Sequence, residues 1–191
     1  MQFKRAEEFI LGKLRSDLPA HLSYHSIEHT LDVFEAAGRI ARAGGVSKYD
    51  QKLLLTAALF HDSGFIITRD GHEEESCRIA RHHLPDYGYL PVELELICGM
   101  IMATRMPQSP QTYLEEILCD ADLDYLGRDD FFVLSNRLFS ELCFEGLIKG
   151  EAEWNQEQAD FMEKHRYQTA ASVKLRQAHK EEYIKLVKSK I

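Results

Sequence analysis

The chain has no run of about 18 apolar residues of the kind that spans a bilayer. Its first residues, Met-Gln-Phe-Lys-Arg-Ala-Glu-Glu-Phe, alternate charge with apolar side chains and contain no secretory core. It has four cysteines, Cys77, Cys98, Cys119 and Cys143, and no CxxC pair. Thiols so spaced fit free side chains in a reducing cytosol better than a disulfide framework, so a cytoplasmic protein is expected. Positive charge is in short supply: 23 Lys and Arg stand against 31 Asp and Glu, a net charge of −8. That balance excludes the basic footprint of a nucleic-acid binder and disfavours anionic membrane surfaces. Val/Ile/Thr alternation of the strand type, internal repeats, low-complexity tracts and linkers are also missing. Nothing in the composition indicates an oligomeric state.

What is present is helical period from end to end, over 191 residues of which 45% are hydrophobic. Such a chain is long enough for one domain with a real core. Helices are expected over 1–15, 26–43, 48–61, 72–84, 91–104, 110–126, 129–148, 151–165 and 168–189, within a few residues at each end. The prediction is an all-α domain of eight or nine helices occupying residues 1–191. Its central helix carries Leu53, Leu54, Leu55, Ala57, Ala58, Leu59 and Phe60, apolar nearly all round and therefore buried on most sides.

Nine histidines are the second positive feature. In Tyr24-His25-Ser26-Ile27-Glu28-His29, His29 shares a helical face with Val33, Ala36 and Ile40, and His25 lies one turn earlier. Each could be a hydrogen-bonded core histidine; two on one inward face also suit ligation. His61-Asp62-Ser63-Gly64 closes the central helix, with Gly64 as the expected stop. A carboxylate there needs a cation or several donors. In Cys119-Asp120-Ala121-Asp122-Leu123-Asp124, Asp122 continues the stripe Leu114, Leu118, Leu126. Asp120 falls with Glu116 on a wetter face and Asp124 between the two. Asp122 is therefore the expected buried carboxylate, although a helix-end acidic cluster would read the same way. His29, His61, Asp62 and Asp122 together make two nitrogens and two oxygens, a set that suits one divalent transition metal: Mn, Fe, Zn, Ni or Co.

The order His29, His61-Asp62, Asp122 in an all-α chain resembles the HD superfamily of metal-dependent phosphohydrolases over roughly residues 20–130. The likeness implies an HD-type helical bundle with these four residues as ligands, and hydrolysis of a phosphomonoester or phosphodiester of a small molecule such as a nucleotide. The segment from Tyr24 to His29 is similar to the Tyr-His-Asn-x-x-His segment of cyclic-nucleotide phosphodiesterases, with Ser26 for Asn. That likeness implies His25 as the general acid and His29 as a ligand; without a purine-recognition glutamine it supports phosphoester chemistry rather than a cyclic substrate. Many relatives carry a histidine near His72 that binds a second ion, but Thr104 stands where its partner histidine is expected. One metal is therefore implied. His72 then either faces the reacting water or phosphate or merely opens a solvated acidic helix. Arg69, Arg105 and Arg128 are candidates for holding phosphate, or else ordinary exposed arginines. The competing class is a non-catalytic HD module that binds a nucleotide and reports to a partner. His82 and His83 at a helix end read as structural, His21, His165 and His179 as surface residues, and Trp154, Phe161 and Tyr167 as core rather than a substrate box.

Overall fold

The computed structural model describes residues 1–191 and is all-helical. Its nine α-helices are α1 (Phe3–Asp17), α2 (Ile27–Ala43), α3 (Lys48–Phe60), α4 (His72–His83), α5 (Pro91–Ala103), α6 (Tyr113–Asp122), α7 (Phe131–Phe144), α8 (Glu151–Lys164) and α9 (Ala170–Lys188). Single 3₁₀ turns cover Ser63–Ile66, Leu84–Tyr87 and Asp124–Gly127. The starts follow local chemistry: the Ser47 and Thr112 hydroxyls accept from the amides of Asp50 and Glu115. Pro91 sits in the first turn of α5, where its missing N–H costs nothing.

The expected burial of α3 is observed: Leu53, Leu54, Ala57, Ala58, Leu59 and Phe60 are all buried. They join the inward faces of α1, α2, α5 and α6 in the main core. A second cluster, built on Tyr24, Leu126, Phe131, Met162 and Val187, ties α7, α8 and α9 to the turn after α6. No helix is long and apolar enough to cross a membrane.

Two glycines are set by close approach. A Cβ at Gly64 would stand 1.9 Å from the His72 carbonyl oxygen, and one at Gly127 would stand 2.4 Å from that of Arg176. Gly64 is thus not the stop expected of it: α3 ends at Phe60, and Gly64 lets the following turn press against the start of α4.

Three other expectations are corrected by the way α8 and α9 fold back. Asp120, expected on a wetter face, is fully buried. Its carboxylate accepts from the amides of Gln168 and Thr169, both at 2.8 Å, and from the Thr169 hydroxyl at 2.7 Å. Asp124 is buried as well, held by Arg39 at 2.7 Å and Arg176 at 2.9 Å. His165, expected at the surface, is buried, and its carbonyl accepts from the buried Lys180 ammonium at 2.7 Å. Helical period within α6 cannot register a partner 45 or more positions downstream, as in the Thr169–Asp120 bond with its separation of 49.

Candidate metal centre

The expected ligands meet where helices end. His29 is in the first turn of α2, His61 caps the C-terminus of α3 with Asp62 after it, and Asp122 is the last residue of α6. Two helix C-termini, each carrying partial negative charge, therefore end at the cluster, an arrangement that favours a cation.

The ring nitrogens and carboxylate oxygens converge at the long end of hydrogen-bond distance or beyond it. His29 Nε2 lies 3.3 Å from Asp62 Oδ2 and 3.2 Å from Asp122 Oδ1. His61 Nε2 lies 3.2 Å and 3.5 Å from the same two oxygens. Ligands bound about 2.1 Å from one ion, at right angles, stand about 3 Å apart, so these separations match a shared metal. His29, His61 and Asp122 alone offer three ligand atoms mutually within 4.8 Å. His61 Nδ1–H donates to the Ala58 carbonyl at 2.8 Å, which orients the ring and leaves Nε2 as its free lone pair when neutral. His61 Nε2 and Asp62 Oδ2 are both buried and have no hydrogen-bond partner. Buried polar atoms are normally satisfied, so two orphans facing each other inside the cluster fit an ion as their common partner.

The electrostatics agree. Burial would lower the His29 imidazole, but the Asp122 and Asp62 carboxylates facing its Nε2 outweigh burial and hold His29 up at about 9. Burial would raise the Asp122 carboxyl, but His29 and His61 hold it down at about 2. The cluster concentrates negative charge that protons satisfy when no metal is bound.

His72, first residue of α4, reaches the rim: its Nε2 is 3.5 Å from Asp62 Oδ1, on the carboxylate oxygen the other histidines do not use. Thr104 is buried and its hydroxyl turns back to the Ile101 carbonyl at 2.8 Å. His25 precedes α2, largely buried, its ring stacked on Phe65 at 4.1 Å.

Of the candidate arginines, none is free. Arg69 is paired with Glu141 and Glu145. Arg105 is half exposed and bonds Glu74 at 2.5 Å. Arg128 is held by Asp130 at 2.5 Å and lies 3.3 Å from Asp32.

Sequence reasoning missed Glu141. This carboxylate, on α7, is fully buried; it accepts from the backbone amides of Tyr24 at 2.8 Å and His25 at 3.1 Å, and it pairs with His25 Nδ1 and Arg69. Burial would raise its pKa, but the His25 side chain, followed by those amides, brings it down to about 2. A signal existed: Phe131, Leu134, Leu138 and Glu141 are spaced three, four and three along one helix face, the criterion that selected Asp122.

Comparison with known proteins adds three findings. A family model described as HD domain matches residues 26–124. The crystal structure of a predicted HD superfamily hydrolase from an uncultured Thermotogales bacterium has a TM-score of 0.64 at 23% identity, covering 95% of this chain and 89% of that one. A crystal structure of a Lactobacillus plantarum protein has a TM-score of 0.66 at 16% identity, covering 99% of this chain and 96% of that one. At these identities the two structures share the fold. No curated protein matches the chain.

Proposed function

The chain belongs to the HD domain family, and from that premise we propose that it is a metal-dependent phosphohydrolase acting on a phosphoester of a small molecule, such as a nucleotide. The observation that carries this reading is the ligand cluster His29, His61, Asp62 and Asp122, with two buried, unpartnered atoms facing one another. The mixed nitrogen and oxygen donors suit one divalent transition metal: Mn, Fe, Zn, Ni or Co. An ion held there supplies Lewis-acid activation of water and of the phosphoryl group.

The remaining roles belong to the protein. His25, oriented by Glu141 through Nδ1, presents Nε2 as the proton donor to the leaving oxygen. His72 stands on the free oxygen of Asp62, placed to hydrogen-bond the attacking water or the phosphoryl oxygens. With Arg69 and Arg105 committed to glutamates, neutralisation of the phosphoryl charge falls to the metal and to these histidines. The four free thiols support a cytosolic setting.

The test is a phosphate-release screen over nucleotides and sugar phosphates with each of the five metals, alongside elemental analysis. The expected result is uptake of a transition metal and metal-dependent phosphate release. Uptake of none of the five would overturn the reading; metal uptake with nucleotide binding but no turnover would replace it by the non-catalytic module.

A further inference from the structure

A cavity of about 300 Å³ opens beside the cluster, with His25 and Asp122 among its lining residues. Met106, Leu138, Trp154 and Phe161 form much of its apolar wall. Leu138, Trp154 and Phe161 come from α7 and α8, beyond residue 124 where the family match ends. Trp154 and Phe161, expected to be plain core, thus contribute to a chamber that the family core alone does not build.

Three properties limit what can enter. The volume is at the small end of ligand sites, which run from about 300 to 1,000 Å³, so it accommodates one ring system rather than a dinucleotide or polymer. The lining is mostly hydrophobic and includes three aromatic residues besides Trp154, which rewards a flat apolar group. No lysine or arginine lines it, and its carboxylates are Asp122 and Glu157. A second phosphate carried into this space would be desolvated beside like charge, which is costly. Lys164 and Arg166 line a different cavity of about 580 Å³, which shares Met106, Leu123 and Phe161 with the chamber but neither His25 nor Asp122.

We propose that this chamber receives the leaving group, and that the substrate is a phosphate monoester of a neutral, ring-bearing alcohol with no further phosphate. The proposal rests on the phosphohydrolase reading above. In the step, a water oxygen bonds to phosphorus and the P–O bond to the alcohol breaks. The leaving oxygen takes a proton from His25, and a proton from the water returns the balance. The products are the ring-bearing alcohol and inorganic phosphate.

Trp154 is the only tryptophan in the chain, so its fluorescence reports entry into the chamber without requiring turnover. Chelator-treated protein is titrated with phenyl phosphate, a nucleoside 5′-monophosphate and glycerol 3-phosphate. The two ring-bearing esters are expected to shift Trp154 emission saturably, and glycerol 3-phosphate to leave it unchanged; no shift with either ring-bearing ester overturns the chamber assignment. In metal-loaded protein, kcat/KM for the better ring-bearing monoester is expected to exceed that for glycerol 3-phosphate and for a nucleoside triphosphate by at least about tenfold. The variant Leu138→Phe, whose fold is checked by circular dichroism melting, is expected to reduce that ratio severalfold by narrowing the chamber. Equal turnover of glycerol 3-phosphate, or an unchanged ratio in Leu138→Phe, overturns the proposal. A preference for the triphosphate that Lys164→Ala or Arg166→Ala removes would also overturn it and move the leaving group to the neighbouring cavity. Absence of phosphate release from every ester overturns the phosphohydrolase reading instead, and the fluorescence titration still decides what the chamber accepts.

Discussion

His25 owes its orientation to a carboxylate 116 positions away. Glu141 holds the imidazole at Nδ1 and the two amides around it, so backbone and ring are fixed by one buried group. His25 touches no metal ligand through a hydrogen bond, whereas its ring lines the cavity that Asp122 also lines. His25→Ala is therefore expected to retain metal, by elemental analysis, and to lose about 10²-fold or more in kcat, the usual worth of a positioned acid. Loss of metal in that variant would make His25 a ligand instead. Glu141→Gln is expected to cost roughly 2–3 kcal/mol in urea unfolding at neutral pH, since it removes charged hydrogen bonds from a buried site. The pH dependence follows from the depressed carboxyl. A carboxylate held at about 2, against 4.5 ordinarily, adds stability that is fully present above about 4.5 and is lost as pH falls toward 2. The gap between wild type and Glu141→Gln should close across that window. At this scale a polar residue interrupting an apolar stripe is a readable but incomplete signal. Asp122 was picked that way and does join the cluster, but with its side chain 15% exposed it is the least buried of the three aspartates, because α6 ends there and Leu126 lies in the next turn. Glu141 interrupts the stripe Phe131, Leu134, Leu138 in the same manner and was not picked.

Several helices were legible because they carry their own punctuation. Gly44-Gly45 after α2, Ser47 before α3, Pro91 in α5 and Thr112 before α6 are local signals, and the observed ends fall close to them. What stayed hidden is the covering of one element by another. Asp120 falls with Glu116 on the helical wheel and looks solvated, but the segment leading into α9 lies over it and uses its carboxylate to cap Gln168 and Thr169. Arg69 hid its role for the same reason: its pairing with Glu141 and Glu145 depends on where α7 packs. The capping role of Asp120 gives a prediction of its own. Asp120→Ala removes the acceptor of the buried Thr169 amide, the half-buried Gln168 amide and the Thr169 hydroxyl, and is expected to lower unfolding free energy by about 2–3 kcal/mol. Amide exchange should accelerate first at the start of α9 rather than in α3, which distinguishes an unlatched element from general destabilisation.

For the whole molecule, the HD core supplies the candidate ligands from α2, the end of α3 and α6, and the C-terminal helices supply much of the wall beside them. This division explains why the candidate ligand cluster could be read from sequence while the chamber could not. The ligands recur in a recognisable order, but Leu138, Trp154 and Phe161 become neighbours of Asp122 only through packing. An ion bound there would join three helix ends and so couple metal binding to folding. Saturating the chelator-treated protein at about 100 times Kd is expected to raise unfolding free energy by about 2.7 kcal/mol, read as an increase in Tm. Asp122→Ala should abolish that increase, because it removes one of the oxygens facing both histidines.

In the proposed reading, phosphoester hydrolysis runs on a metal held by His29, His61, Asp62 and Asp122. Its most direct test is a titration of chelator-treated protein with Mn, Fe, Zn, Ni or Co, following phosphate release at each addition. The expected result is no release before metal is added and a rise that saturates at one ion per chain. Release that is undiminished by chelation, or no release with any of the five metals, would contradict it.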